Sequence, residues 1–254
     1  MLTVILAGGK GRRILEETKN KPKALVKIGD KPILRHIIDF YLAQGHNKFL
    51  VLAGYKGDCI VNYFENLPEF KKKYCYENYI IYEYKSMQVE ILYTGEDTNS
   101  AQRLKIAKPY IKEERFMLTY CDGLSSVNVN ELINTHIQKK FVITISAVRP
   151  KPRYGILDID DNGYVIELRE KSIDDSPLIN GGFMVFERTA LEYIGEDMLE
   201  LERDLLSHMA IKRNLGVYIH KGFWQCMDTV FERDCLEELY KKNNYPWQVE
   251  RRNK

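Results

Sequence analysis

Three glycines and three cations follow the first apolar run of the sequence. The run, Leu2–Ala7, is typical of a buried β-strand, and residues 8–13 read GGKGRR. A strand that ends in glycines presents backbone N–H groups to a polyanion without obstruction by Cβ atoms. Ligands of open α/β sheets bind beyond the carboxyl ends of the strands, and Lys21 and Lys23 follow shortly after. The segment therefore predicts a phosphate site.

This glycine loop, residues 8–13, differs from the two commonest phosphate-binding loops. The Gly-x-Gly-x-x-Gly fingerprint fails because Ile14 stands at the position of its third glycine. The P-loop pattern fails because the sequence contains no Gly-Lys-Ser/Thr. A tight turn with solvated cations is the simpler alternative.

Two aspartates add a second kind of chemistry. Asp122 comes directly after the apolar run RFMLTYC, and Asp228 follows an aromatic pair in GFWQCMDT. In a parallel sheet Asp122 lies at the same edge as the glycine loop, and paired carboxylates beside a triphosphate form a hard-oxygen site for Mg²⁺. Taken alone, each aspartate is more often a helix cap or a turn residue.

Composition excludes several classes of protein. The 254 residues carry 38 basic and 36 acidic side chains, a balance that gives no reason to expect a nucleic-acid partner. No apolar segment approaches the ~18 residues of a membrane helix, and the N-terminus lacks the basic region of a signal peptide. The scattered cysteines indicate neither a disulfide framework nor a zinc site, so we expect a cytoplasmic protein. They are Cys59, Cys75, Cys121, Cys226 and Cys235.

The chain alternates apolar runs with helical patterns, which predicts an α/β fold with a mostly parallel sheet flanked by helices. Predicted helices are 32–44, 57–67, 100–111, segments around 188–213, and 229–242; residues 8–21 are predicted as a polar loop. Strands predominate from 140 to 187. We expect one domain, 1–254, with a nucleotide-binding half at about 1–125 and an acceptor-binding half at about 126–254.

Several segments resemble the sugar-1-phosphate nucleotidyltransferases. The opening LAGGKGRR with KPKALVKIGDKPIL is similar to the superfamily signature. The segments GYKGDCIVNYF, TYCDG, YGILDI, INGGFMVF and GFWQCMDT, with Glu170 and Lys171, resemble the glucose-1-phosphate cytidylyltransferase branch. The similarity runs from residue 1 to about Trp247.

The resemblance implies a Rossmann-like, GT-A-like fold with added β-rich acceptor-binding elements. It implies transfer of a cytidylyl group from CTP to a phosphorylated acceptor, foremost glucose 1-phosphate, giving CDP-glucose and pyrophosphate with Mg²⁺ as cofactor. A phosphate oxygen of the acceptor attacks the α-phosphorus in line, so catalysis consists of positioning and charge neutralisation. The family also implies nucleotide-sugar and polysaccharide biosynthesis and a homo-oligomer, without a membrane partner.

Residue roles follow from the same resemblance. The implied catalytic cations are Arg13 and Lys23, and the implied metal ligands are Asp122 and Asp228. The implied nucleotide-binding residues are Leu6, Ala7, Gly8, Gly9, Gly11, Arg13, Lys23, Ser100, Ala101 and Arg103. The implied acceptor-binding residues are Gly155, Glu170, Lys171 and Asn180.

The sequence departs from the branch at positions that could read the base or the acceptor. Arg12 replaces a threonine, residues 100–103 read SAQR instead of Thr-Gly-Gly-Arg, and Ser172 replaces a proline. The same chemistry with UTP, dTTP or another phosphorylated acceptor, including a non-sugar one, is the first alternative. A catalytically silent nucleotide-sugar-binding regulator is the second.

The acceptor pocket depends on a further expectation. If GYVIELREK and INGGF are adjacent strands, Glu170, Lys171 and Asn180 converge on one pocket. Without the resemblance, Glu170 and Lys171 read as a solvated charge pair at a strand end.

Overall fold

The computed structural model describes residues 1–85, 87–151, 155–169 and 176–248. The strands within these ranges are β1 (Leu2–Ala7), β2 (Lys27–Ile28), β3 (Lys31–Pro32), β4 (Lys48–Ala53), β5 (Lys71–Tyr76), β6 (Tyr79–Tyr84), β7 (Met87–Tyr93), β8 (Arg115–Tyr120), β9 (Gly123–Ser125), β10 (Ile143–Val148), β11 (Ile156–Ile159), β12 (Val165–Arg169), β13 (Ile179–Glu187), β14 (Leu215–Ile219) and β15 (Trp224–Cys226).

The helices cover both faces of the main sheet. The α-helices are α1 (Leu15–Thr18), α2 (Ile33–Ala43), α3 (Gly57–Glu65), α4 (Ser100–Ala107), α5 (Val129–Lys139), α6 (Ser207–Ile211) and α7 (Val230–Lys241). Short 3-10 helices span Arg12–Ile14, Lys23–Leu25, Lys108–Tyr110 and Arg188–Tyr193, and a π-helix spans Leu201–Leu206.

The main sheet has a parallel centre. Its order is β14-β10-β13-β8-β1-β4-β7-β6-β5, in which β8, β1, β4 and β7 run parallel to one another. Antiparallel β13 extends it beyond β8, and antiparallel β6 and β5 extend it beyond β7. The predicted α/β architecture is confirmed, and β1 and β8 end at the same edge.

Strand β1 lies at the centre because it is apolar on both faces. All six of its residues are buried. Val4 belongs to one hydrophobic cluster and Ile5 to the other, since successive side chains of a strand point to opposite faces. A parallel strand covered by helices on both sides reads as a continuous apolar run, as LTVILA does.

Several predicted boundaries need correction. The predicted polar loop at 8–21 contains a 3-10 turn and α1, and Pro32 precedes α2 in an extended conformation instead of beginning it. The helical segments expected around 188–213 are a 3-10 helix, a non-helical stretch, a π-helix and α6. The helical spacing of apolar residues in this region therefore does not produce one regular helix. The π-helix packs against α4 instead.

The expected adjacency of GYVIELREK and INGGF is wrong for the described residues. Strand β12 pairs with β11 in a separate hairpin, whereas β13 pairs with β8 and β10 in the main sheet. The apolar run of β13 is buried almost throughout, while the hairpin lies outside the core. Large apolar side chains are exposed along it: Leu157, Ile159, Tyr164, Val165, Ile166 and Leu168.

A second small sheet brings the distant Asp228 to β8. Strand β15 pairs antiparallel with β9, and the register places Cys226 opposite Gly123. The Met227 amide then donates to the Asp122 carbonyl at 2.8 Å. No helix in the described ranges is long and apolar enough to cross a membrane.

Candidate active site

The glycine loop begins where β1 ends and turns back through a left-handed residue. Gly11 has φ of 60°, and a Cβ atom there would lie 2.9 Å from the Thr18 side chain. The Thr18 hydroxyl donates to the Gly11 carbonyl at 3.1 Å, which ties the loop to α1. Gly9 is exposed and no atom lies within 4 Å of a Cβ built on it, so the loop faces open space.

Arg103 supports this loop from behind. Its guanidinium donates to the Gly8 carbonyl at 2.9 Å, to the Gly95 carbonyl at 2.8 Å and to the Thr94 hydroxyl at 2.6 Å. A Cβ atom on Gly8 would lie 2.2 Å from the guanidinium carbon, so a larger residue there would displace the Arg103 guanidinium from these contacts. Burial lowers the pKa of Arg103 below its ordinary value. The structure thus places this predicted nucleotide-binding residue in a supporting position at the cavity wall.

Asp122 and Asp228 come together around Lys23. The Lys23 ammonium lies 2.7 Å from Asp122 Oδ2 and 2.5 Å from Asp228 Oδ1. Arg13 contacts the other oxygen of Asp228, with Nη1–Oδ2 at 2.8 Å. The four side chains predicted to carry catalysis and metal binding therefore form one cluster, although they come from four separate parts of the sequence.

The carboxylates keep Lys23 charged. Burial alone would lower the pKa of Lys23, whose side chain is 11% exposed. The charges and hydrogen bonds of Asp122 and Asp228 together outweigh burial and raise that pKa above its ordinary value. Arg13 is 76% exposed and reaches Asp228 from the solvent side. The cluster of four side chains thus contains one buried and one exposed cation.

A cavity of about 370 Å³ opens over this cluster. The predicted site residues that line it are Leu6, Gly8, Gly9, Gly11, Arg13, Lys23, Ser100, Arg103, Asp122 and Asp228. Two predicted nucleotide-binding residues lie outside that lining, since Ala7 and Ala101 are buried in the core. The Ala101 amide donates to the Leu199 carbonyl at 2.9 Å.

Sequence analysis missed the carboxylate of Glu200, which also lines this cavity. The Ser100 hydroxyl donates to Glu200 at 3.0 Å, and Gln102 donates to the carbonyl groups of Gly195 and Met198. Ser100 and Gln102 therefore bind the segment that carries Glu200 and hold it at the wall of the cavity. In the sequence, this contact was indicated only by residues 100–103, which read SAQR where the cytidylyltransferase branch has Thr-Gly-Gly-Arg.

Glu232 is a second missed residue, and it fixes the backbone at Asp228. Its carboxylate accepts from the Asp228 amide at 2.8 Å and the Thr229 amide at 3.0 Å, and it is buried. The Thr229 hydroxyl accepts from the Glu232 amide at 3.2 Å, which completes a capping box at the start of α7. Thr-x-x-Glu before an apolar helix is the sequence signal of this motif.

We expect Glu232→Gln to lower kcat about 10–100-fold, because a neutral amide holds the Asp228 backbone less firmly and residues that orient a metal ligand have effects of this size. Glutamine keeps an oxygen that can accept from both amides, so the capping box should persist and the free energy of unfolding should fall by less than about 1 kcal/mol. Steady-state kinetics and urea denaturation measure the two effects. Glu238→Gln on the exposed face of α7 is the control; equal losses in both variants would contradict a specific role for Glu232.

The predicted acceptor residues are only partly brought together. Asn180, on β13, lines a small cavity of about 40 Å³ with Asp122 and Trp224. Gly155 is exposed at the start of the β11–β12 hairpin and lines neither this cavity nor the larger one over Lys23. Glu170 and Lys171 lie outside the described residues.

A larger cavity of about 540 Å³ lies between α2 and α7 and contains no predicted site residue. Its charged side chains are engaged with one another: Lys31 and Arg35 pair with Asp39, and Asp30 accepts from the Tyr240 hydroxyl. Among the described residues, most of the predicted site residues therefore lie around the glycine loop and none lies in this larger cavity.

The chain belongs to the nucleotidyl transferase family, whose sequence profile matches residues 2–225. It is a nucleotidyltransferase, with a fold and a cluster of charges appropriate to that chemistry. The glucose-1-phosphate cytidylyltransferase of Salmonella typhi is 36% identical in an alignment that covers 98% of this chain and 99% of that protein.

More distant relatives share less of the sequence. The UTP–glucose-1-phosphate uridylyltransferase AglF of Haloferax volcanii is 27% identical over 73% of this chain and 72% of its own length. The crystal structure of HddC from Yersinia pseudotuberculosis has a TM-score of 0.70 at 22% identity, covering 94% of this chain and 99% of that chain. This structural likeness confirms the fold.

Proposed function

We propose that this enzyme transfers the cytidylyl group of CTP to glucose 1-phosphate, giving CDP-glucose and pyrophosphate. The observation that carries the proposal is the cluster of Lys23, Arg13, Asp122 and Asp228 facing the glycine loop. The choice of CTP and glucose 1-phosphate is supported by the near full-length similarity to cytidylyltransferases. The uridylyltransferase among the relatives makes UTP the first alternative nucleotide.

The reaction needs positioning and charge neutralisation. A phosphate oxygen of the acceptor forms a bond to the α-phosphorus, the bond from that phosphorus to the bridging oxygen of the β-phosphate breaks, and pyrophosphate leaves with the electron pair. The amides of the glycine loop and the Arg13 guanidinium bind the triphosphate. The Lys23 ammonium neutralises charge at the α-phosphate as the leaving group departs.

The carboxylates fit Mg²⁺. Mg²⁺ usually binds one or two carboxylates and takes its remaining ligands from substrate phosphates and water. Asp122 and Asp228 supply two carboxylates, and the described ranges contain no cluster of three or more acidic, histidine or cysteine side chains that would form a complete protein cage. Asp122 and Asp228 would hold the ion, which would supply positive charge to neutralise the phosphates.

Asn180 is our candidate for recognising the acceptor. Its Oδ1 accepts from the Gly182 amide at 3.0 Å, while its Nδ2 is buried beside the Tyr120 hydroxyl and makes no hydrogen bond of normal geometry with the described residues. A buried donor without a partner is costly, and this one lies beside the cavity that contains Asp122. A hydroxyl of the acceptor would satisfy it; Glu170 and Lys171 keep their proposed acceptor roles from the resemblance.

We expect Asn180→Asp to raise the KM for the acceptor about tenfold and leave the Kd for CTP unchanged. The aspartate retains the oxygen that caps Gly182 but lacks the donor, and one hydrogen bond is worth about 1.4 kcal/mol or less. Acceptor titration at saturating CTP and calorimetry with CTP measure the two constants. Asn66→Asp, on an exposed helix end, is the control; a weakened CTP Kd with an unaltered acceptor KM would contradict the assignment.

A matrix of four nucleoside triphosphates against sugar and non-sugar phosphates, assayed by pyrophosphate release with Mg²⁺, tests the proposed function. Turnover with CTP and glucose 1-phosphate at least tenfold above every other pair supports it. A preference for UTP or dTTP, or for another acceptor, keeps the chemistry and corrects the substrates. Binding without pyrophosphate release in any pair assigns the chain to nucleotide-sugar binding instead.

We further propose that the enzyme is a cytoplasmic homo-oligomer. The absence of disulfides among the described cysteines fits a reducing compartment. The exposed apolar residues of the β11–β12 hairpin fit a contact between subunits.

A further inference from the structure

The position of the Lys23 ammonium has a consequence for metal binding. It contacts Asp122 Oδ2 and Asp228 Oδ1, one oxygen from each carboxylate, at 2.7 and 2.5 Å. A divalent ion that bound the same two oxygen atoms would overlap the ammonium group. Lysine and metal are therefore alternative occupants of the space between the carboxylates.

The backbone around Lys23 is fixed, and only its side chain needs to move. Lys23 begins a 3-10 turn in which the Leu25 amide donates to Pro22 and the Val26 amide donates to Lys23. The stem of the side chain passes beside Gly11, because a Cβ atom built on that glycine would lie 3.3 Å from Lys23 Cβ. A rotation of the side chain can thus carry the ammonium from the carboxylates to the glycine loop.

We propose that Lys23 holds the cation position between Asp122 and Asp228 in the ligand-free enzyme and is exchanged for a divalent metal ion when the triphosphate binds. The inference rests on the proposed function, since it assumes that this carboxylate pair binds the metal. The Lys23 side chain is only 11% exposed in its carboxylate-bound position, so an ammonium displaced from the carboxylates needs a new counter-charge, which the phosphates of the nucleotide supply. Metal and nucleotide each strengthen the binding of the other, because such coupling is reciprocal.

Because Lys23 competes with the metal ion for the carboxylates, removing this cation is expected to raise metal affinity. Without Lys23, the carboxylates remain close and negatively charged, and Arg13 still contacts Asp228 from the solvent side. Lys23→Met is therefore expected to bind Mn²⁺, a probe that favours the same oxygen ligands, at least about tenfold more tightly than the wild type in the absence of nucleotide. A tenfold change in Mn²⁺ affinity corresponds to about 1.4 kcal/mol of binding free energy.

Titration of free Mn²⁺ by electron paramagnetic resonance measures this affinity without any turnover. Lys23→Arg retains a cation and should bind Mn²⁺ as weakly as the wild type. Lys10→Met removes the same charge from the glycine loop, at a side chain paired with Asp97 and not with the two carboxylates, and should leave Mn²⁺ affinity unchanged. Lys23→Gln is measured alongside, so that the test does not depend on the folding of one variant.

A second readout is thermal unfolding. Without metal, Lys23→Met should unfold below the wild type because its carboxylates repel each other, and saturating Mn²⁺ should raise its Tm more than that of the wild type. One outcome overturns the exchange alone: Lys23→Met and Lys23→Gln bind Mn²⁺ no more tightly than the wild type, while turnover of the wild type depends on metal. Absence of Mn²⁺ binding in every variant, with metal-independent turnover, overturns the metal site of the proposed function as well.

Discussion

Asp122→Asn and Asp228→Asn are each expected to lower kcat at least about a hundredfold in a folded protein. Each substitution keeps the size of the side chain and removes one negative charge from the pair that contacts Lys23. Loss of one strong electrostatic contact at a reacting centre costs about 2.7–4 kcal/mol. The side chains are 31% and 21% exposed, so neutral asparagine is tolerated at either position.

Pyrophosphate release under saturating substrates measures kcat, and circular dichroism checks the fold. Asp234→Asn is the matched control, because Asp234 lies on the exposed side of α7, six residues beyond Asp228, and pairs only with its neighbour Arg233 among the described contacts. Rates within threefold of the wild type in a folded Asp122→Asn or Asp228→Asn protein would remove that residue from the catalytic site.

Arg103→Met is expected to have the largest effect on stability, lowering the free energy of unfolding by about 3 kcal/mol or more. Arg103 is 4% exposed, and its guanidinium donates to the carbonyl groups of Gly8, Ala53 and Gly95 and to the Thr94 hydroxyl. Each buried acceptor left without its donor costs about 1–3 kcal/mol. Methionine fills the volume but satisfies none of them.

Urea denaturation of Arg103→Met and of Arg203→Met separates this role from a general effect of losing an arginine. Arg203 is exposed, and its replacement should change stability little. If Arg103 instead contacts the nucleotide, its replacement will leave the unfolding free energy unchanged and raise the Kd for CTP. That result would return Arg103 to the nucleotide-binding role that the family resemblance implies.

Sequence reasoning located Asp122 and the glycine loop because their positions depend on the order of the parallel strands alone. Apolar runs such as LTVILA predict buried parallel strands, and the carboxyl ends of parallel strands meet at one edge. That argument places Asp122 beside Gly8 without any knowledge of side-chain packing. Asp228 was harder, since its position depends on the pairing of β15 with β9.

Contacts that depend on tertiary packing could not be predicted. The inward direction of Arg103, and the clamp formed by Ser100 and Gln102 on residues 195–200, follow from how α4 packs against the π-helix segment. The separation of β12 from β13 likewise reflects burial of one strand and exposure of the other, although both are rich in apolar residues. The roles of the predicted site residues, and the single domain 1–254, remain predictions.

The pairing of β13 with β8 also sets an order of events during synthesis on the ribosome. Strand β8 emerges early, but the neighbour that covers its free edge comes about sixty residues later, and Asp228 later still. An uncovered apolar strand edge can pair with another chain. The nascent protein therefore has a period in which its central sheet is open on one side, and the cluster around Lys23 forms only after Asp228 has emerged.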